Sequence, residues 1–321
     1  MSYSGDVRRE LVEVLPGAKH CRIAELAAIL GLCGRITIDV KGQIQIRILT
    51  ENLTVARKYF ILIKKLFHYV PETAIRRKKG QKKGGQYLVA VRDPFVAREI
   101  LEACGMLRDS DAFPGEEGLG GQDGLLRRDC CKRAFLRGTF LAAGMITNPE
   151  KAYQFEIVIS DEERASRIRE LIESFGVRPK TMVRSKSYVI YVKEGEQIAD
   201  LLNVMGAHVA LMDFENVRIL KEMRNHVNRG VNCETANIKK AVNAARRQVE
   251  DIEYIRETAG LSSLPEGLEQ IARLRLEEPD ISLAELGELL EPPISKSGVN
   301  HRLRKISLAA AELRQKKGEK T

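Results

Sequence analysis

Between Lys296 and Lys305 the chain sets out groups suited to recognising a structured polyanion. Asn300, His301 and Arg304 carry donors and acceptors that can pair with base edges, while Lys296, Arg302 and Lys305 are better suited to phosphate oxygens. The stretch carries no acidic residue, and Ser297 adds a small hydroxyl. Two further basic runs could hold phosphates. The first, Arg76-Arg77-Lys78-Lys79-Gly80-Gln81-Lys82-Lys83, has six positive charges and no negative one. The second, from Arg218 to Arg247, includes Arg224, Arg229, Lys239 and Lys240 and sets eight basic residues against Glu222 and Glu234. The charge also reverses at one turn near the C-terminus: residues 265–293 sum to −6 and residues 294–321 to +6. Segregation on this scale points to a polyanionic partner, double-stranded nucleic acid in particular. Metal chemistry has no such signature. The six cysteines (Cys21, Cys33, Cys104, Cys130, Cys131 and Cys233) include no Cys-x-x-Cys and have no histidine pair at ligand spacing. The spacing therefore predicts buried free thiols, with no metal and no cofactor.

The whole composition agrees with a basic globular chain. Of 321 residues, 53 are Lys or Arg and 44 Asp or Glu, a net charge of +9, with 44% apolar and 30% charged residues. This excludes disordered and collagen-like classes. No apolar run reaches the ~18–20 residues of a membrane span, and Asp6, Arg8, Arg9 and Glu10 sit where a signal peptide would be apolar. The expectation is a cytoplasmic, nucleoid-associated protein with no membrane partner.

Hydrophobic periodicity shows which elements must position these groups. Residues 1–210 read as two copies of helix, hairpin, helix, hairpin, helix. In the first copy a helix over 21–33 leads to strands at Arg35–Val40 and Gln43–Leu49. A helix over 53–68, strands ending in Tyr87–Val91 and a helix over 94–104 stopped by Gly105 follow. The second copy has helices over 127–143, 162–175 and 196–205, the last stopped by Gly206, and strands at Phe155–Ile159 and Tyr188–Val192. The first helix of each copy is dense in small residues, Leu26-Ala27-Ala28-Ile29-Leu30-Gly31-Leu32-Cys33-Gly34 and Leu136-Arg137-Gly138-Thr139-Phe140-Leu141-Ala142-Ala143-Gly144. Such density predicts two helix backbones in close approach. The predicted divisions are a first half at 1–112, a Gly-rich linker at 113–125, a second half at 126–215, a basic connecting helical segment at 216–260, an all-α domain at 261–316 and a tail at 317–321.

In the C-terminal domain, Ser263-x-x-Glu266 and Ser282-x-x-Glu285 read as capping boxes opening two helices. The second has Leu283, Leu286, Leu289 and Leu290 facing inward and ends at Pro292-Pro293, and Ser295 caps a third helix. Val299, Leu303 and Ile306 share one face of that helix. At ~100° per residue the opposite face holds Ser297, His301, Arg304 and Lys305, with Asn300 and Arg302 on its flanks. This is the pattern of a helix-turn-helix. Upstream, Asn237 to Thr258 reads as one helix with a stripe of Ile238, Ala241, Val242, Ala245, Val249 and Ile252.

The two small-residue segments resemble the LAGLIDADG motif of homing endonucleases. Together with Lys296-Ser297-Gly298-Val299-Asn300-His301-Arg302-Leu303 and Asn228-Arg229-Gly230-Val231-Asn232-Cys233-Glu234-Thr235-Ala236-Asn237, they make essentially the whole chain resemble the WhiA family of bacterial DNA-binding proteins. The resemblance implies an α+β fold: a LAGLIDADG-like pseudo-two-fold repeat, αββαββα twice, followed by an all-α helix-turn-helix domain. It also implies a transcription regulator with roles in sporulation, cell division or chromosome segregation, and partners that include DNA and, beyond it, other transcription regulators or polymerase. A LAGLIDADG nuclease needs a carboxylate just before the final glycine of each motif to hold its metal ions. Here those positions are Cys33 and Ala143, so no catalytic residue is expected. Asp39 falls inside the expected first strand and has no acidic counterpart near Gly144. The competing readings are a metal-dependent DNA endonuclease and an adaptor that docks on the transcription machinery. A LAGLIDADG-like domain without nuclease chemistry could also bind a protein or a small ligand.

Overall fold

The computed structural model describes residues 2–38, 43–76, 85–107 and 124–318. Asp39 and Val40 at the end of the expected first strand, residues 41–42 between it and the second, Arg77, Lys78, Lys79, Lys82, Lys83 and residues 113–123 of the expected linker lie outside the described residues. The chain divides into two compact units, Met1–Lys221 and Glu222–Thr321.

The first unit carries the repeat. After α1 (Tyr3–Glu13), the first copy runs α2 (Lys19–Cys33), β1 (Gly34–Ile38), β2 (Ile44–Thr50), α3 (Leu53–Phe67), β3 (Glu72–Arg76), β4 (Gln86–Val91) and α4 (Pro94–Ala103). The second runs α5 (Asp129–Ala143), β5 (Gly144–Ile146), β6 (Phe155–Ile159), α6 (Glu162–Glu173), β7 (Lys180–Arg184), β8 (Ser187–Val192) and α7 (Gly195–Met205). Each copy forms one antiparallel sheet, in the order β1-β2-β4-β3 and then β5-β6-β8-β7, so the expected repeat is present strand for strand. Local chemistry sets the boundaries. Asn52, Asp93 and Asp161 side chains accept backbone N–H bonds at the starts of α3, α4 and α6, and Gly105 and Gly206 follow α4 and α7 with positive φ. Helix α1, which the sequence reading lacks, buries Val7, Leu11 and Val12.

Helices α2 and α5 pack closely at the centre. A Cβ on Gly138 would lie 2.6 Å from the Glu25 carbonyl oxygen and 2.9 Å from Ala28 Cβ, so only glycine fits there. Beside this contact lies a buried ionic cluster. Glu25 accepts from Arg137 through both oxygens, at 3.0 and 3.3 Å, and pairs with Lys58 Nζ at 3.1 Å. Lys58 also donates to the carbonyls of Leu11, Val12 and Val14 at the end of α1, and Arg137 to that of Met205. Burial pulls the Lys58 ammonium below the usual lysine range, and Glu25 opposes that shift. One carboxylate thus ties together α1, α2, α3, α5 and α7.

The second unit takes most of α8 (His208–Thr258), a 3₁₀ turn at Leu261–Ser263, α9 (Glu266–Glu277), α10 (Leu283–Glu288) and α11 (Lys296–Gly318). The helix expected from Asn237 begins at His208. Its expected stripe is buried only at Ile252; Ile238, Ala241 and Val242 are exposed, and Ala245 and Val249 half-buried. Ile252 and Ile255 enter a core with Ile271, Leu286, Val299, Leu303 and Ile306. Among the described residues no helix is long and apolar enough to cross a membrane.

Removing one member of a buried ionic cluster strands its partners. Glu25→Ala is expected to destabilise the first unit by about 3–5 kcal/mol, read as a lowered urea midpoint. A loss below ~1 kcal/mol would mean that water reaches Lys58 and Arg137 and replaces the carboxylate.

Candidate nucleic-acid interface

Helix α11 is held by contacts that its sequence pattern only partly shows. Val299, Leu303 and Ile306 are fully buried, as the period requires. Gly287 of α10 allows the approach: a Cβ there would lie 2.3 Å from the Ile294 carbonyl oxygen, and Ile294 N–H donates to the Gly287 carbonyl. The second capping box is formed, with Ser282 N–H donating to Glu285 Oε2 at 2.8 Å and Glu285 N–H to Ser282 Oγ at 3.3 Å. The bond from Ser282 holds the Glu285 carboxyl below its ordinary range. Arg275, almost fully buried, donates to the carbonyls of Pro279 and Ile281 and so fixes the loop between α9 and α10.

The first capping box is not formed. Ser263 sits in the 3₁₀ turn, its hydroxyl donating to the Gly260 carbonyl, and α9 begins at Glu266 after Pro265. Proline disfavours helical backbone in the residue before it, and Leu264 is extended (ψ 149°), so a helix cannot start at Ser263. Leu289, expected inside, lies beyond the end of α10 and is exposed, whereas Leu286 and Leu290 are buried.

Of the sequence-selected residues on α11, Lys296, Ser297, Asn300, His301, Arg304 and Lys305 are all exposed. Ser295 Oγ accepts from Gly298 N–H and meets Ser297 Oγ at 2.9 Å, in keeping with the expected cap. Arg302, expected to face phosphate, also makes a contact within the unit. It is half-buried, and its guanidinium donates to the Gly267 carbonyl of α9 at 3.1 Å. Arg224, Arg229, Lys239 and Lys240 lie on an exposed stretch of α8, and Arg76 is exposed at the end of β3.

In the first unit the two sheets offer different open faces. Ile46 and Ile48 point to the core, so Gln45 and Arg47 point away, paired across the ladder with Thr37 and Arg35. Period-two alternation could have marked these two arginines, but the sequence reading did not. The open face of the second sheet carries Met145, Val158 and Met182, all partly exposed.

The C-terminal ends of the motif helices are occupied by arginines. Cys33 ends α2 and Ala143 ends α5. Burial pushes the Cys33 thiol up to about 11, leaving it neutral at pH 7. Arg164 donates to the Gly31 carbonyl near one end, and Arg8 donates to the Gly144 carbonyl at the other, with its guanidinium also over the Phe140 ring.

Comparison with known proteins agrees with this layout. Three family models match in order: the WhiA N-terminal LAGLIDADG-like domain at 19–107, the WhiA LAGLIDADG-like domain at 132–224 and the WhiA C-terminal HTH domain at 227–310. A probable cell division protein WhiA from Lachnoclostridium phytofermentans is 50% identical over 316 residues, 98% of this chain and 100% of that protein. The chain belongs to the WhiA family. A second relative of the same name, from Thermoanaerobacter pseudethanolicus, is 46% identical over 317 residues, 99% of each chain. The crystal structure of full-length DUF199/WhiA from Thermotoga maritima is 25% identical, with a TM-score of 0.58 over 97% of this chain and 99% of that one. In this WhiA-family chain the helix-turn-helix match spans the later part of α8 through α10 and ends within α11.

The two cationic fates on α11 can be separated. Arg302→Ala is expected to destabilise the second unit by about 0.5–1.5 kcal/mol in urea unfolding while leaving the salt dependence of DNA affinity unchanged. A slope that falls by about 0.9 would return Arg302 to phosphate contact.

Proposed function

We propose that this chain is a non-catalytic, sequence-specific DNA-binding regulator of transcription. The observation that carries the reading is the outward face of α11. Asn300, His301 and Arg304 stand there with Lys296, Ser297 and Lys305, all exposed, and no acidic residue occurs from Lys296 to Ala311. This face enters the major groove, where Arg304 reads a base edge and Lys296 and Lys305 hold phosphates. Arg35, Arg47, Arg76 and the exposed basic residues Arg224, Arg229, Lys239 and Lys240 add sequence-independent attraction. The relatives' name, probable cell division protein, supports a regulatory target in division. Sporulation and chromosome segregation are further settings for the same binding activity, at the nucleoid of the cytoplasm.

The endonuclease reading is disfavoured by what occupies the motif ends. Arg8 and Arg164 donate to the Gly144 and Gly31 carbonyls there, and neither Cys33 nor Ala143 supplies a hard oxygen ligand. Supercoiled plasmid carrying the binding site is therefore expected to stay intact with Mg²⁺ or Mn²⁺. Nicking that survives purification and disappears in a chain variant would overturn this. An adaptor role would appear as polymerase capture that persists after nuclease digestion.

A salt titration of the full chain on one operator tests the reading directly. Arg304→Ala is expected to weaken specific binding by about 1–3 kcal/mol and relax one base position, whereas Lys305→Ala weakens all sequences alike and lowers the log–log salt slope by about 0.9. Equal, sequence-independent losses for both would rotate the helix relative to the groove assigned here.

A further inference from the structure

We propose that His20, Cys21, Cys130 and Cys131 form a tetrahedral site for a zinc-class divalent cation that clamps the first turns of α2 and α5 together. Helices Lys19–Cys33 and Asp129–Ala143 correspond at a constant offset of 110 residues. Each therefore contributes an adjacent pair from the same point of its first turn: His20 and Cys21 from one, Cys130 and Cys131 from the other. The sequence reading found no metal spacing because the pairs lie far apart along the chain. The fold brings the pairs together, and the expectation that the thiols are buried is corrected, since Cys130 and Cys233 are exposed.

The ligand atoms of all four residues lie within 4.8 Å of one another. His20 Nδ1 is 3.1 Å from Cys131 Sγ and 3.3 Å from Cys21 Sγ. Zinc at ~2.3 Å from sulfur and ~2.0–2.1 Å from nitrogen needs ligand atoms ~3.5–3.8 Å apart in a tetrahedron. The side chains are thus within small rotations of that arrangement. Cys21 and Cys131 are buried, which fixes the inner pair; His20 is half-buried and Cys130 exposed, which leaves an entry path from solvent.

Charge selects the class of cation. Three thiolates, a neutral imidazole and a divalent ion sum to one negative charge. Lys19, Arg22, Arg127 and Arg128 belong to the same two helix starts, and both helix N-termini favour negative charge. Soft sulfur ligands favour zinc over Mg²⁺ or Ca²⁺. Arg128 Nη1 lies 3.3 Å from His20 Nε2. Metal at Nδ1 moves the imidazole proton to Nε2, and the exposed Arg128 then turns to solvent.

The test uses the full chain, reduced with a phosphine, stripped of metal and titrated with Co²⁺. About one equivalent per chain is expected to bind with the strong visible bands of tetrahedral thiolate cobalt, and Zn²⁺ should then displace it. Cys21→Ser and Cys131→Ser should abolish the bands. Cys130→Ser, at an exposed position, should weaken them without disturbing the fold, and Cys233→Ser on α8 should leave them intact. Absence of bands in the unsubstituted chain, or bands that persist in all three cluster variants, would overturn the site. So would a disulfide between Cys21 and Cys131 in the protein as isolated, combined with no cobalt uptake after reduction.

Discussion

The close packing of α2 against α5 is the constraint on which the first unit depends. Gly138 lets the helix backbones approach to a distance that no side chain would permit, and the price is a rigid, water-free seam. Glu25 lies in that seam as the partner of both Lys58 and Arg137. The cluster gains only if all its members stay paired, because each desolvated charge left alone costs several kcal/mol. Such a cluster specifies one register: sliding α5 by a residue would carry Arg137 away from Glu25 and leave its charge unpaired. Small residues set how near the helices come, and the ionic cluster sets how they align.

That alignment brings the helix ends together as well as their middles. At the C-terminal ends, where Cys33 and Ala143 stand, the backbone carbonyls receive arginines from α6 and α1. At the N-terminal ends the side chains are sulfurs and an imidazole, which on the proposed reading hold a soft cation. Helix dipoles favour cations at C-termini and anions at N-termini, so both ends are chemically consistent with their position. The pairing thus outlasts any particular chemistry at its ends, because it rests on packing in the middle.

Much of this was legible in the sequence, and several of the failures share a cause. The repeat, the small-residue helices and the inward face of α11 follow from local periodicity and survive in the structure strand for strand. Glu25, Lys58 and Arg137 were not legible as core, because pattern reading assigns charge to the surface and sees no partner on another helix. Arg302 sits on the polar flank of α11 by its helical angle, yet its long side chain folds back to Gly267. Ser263 matched a capping pattern, and the proline two residues later overrode it. The Cys and His cluster depends wholly on tertiary approach. Apart from Ser263, Leu289 and the exposed α8 stripe, the misses concern polar side chains whose partners are distant in sequence.

Arginine illustrates why polar residues on this chain cannot be read as one class. Arg275 and Arg302 donate to carbonyls within the second unit and fix α9, its loop and α11 against one another. Arg304, one turn's fraction away on α11, stays exposed. A recognition helix needs both kinds. Readout discriminates between bases only when donors are held to within a few tenths of an ångström, and a six-residue α10 with one capping box is a slender support for that. Internal guanidinium bonds stiffen the support, because a rigid guanidinium held by a backbone carbonyl loses little further entropy once its stem is packed. On the proposed reading, specificity therefore rests as much on the arginines that brace the helices as on those that face DNA.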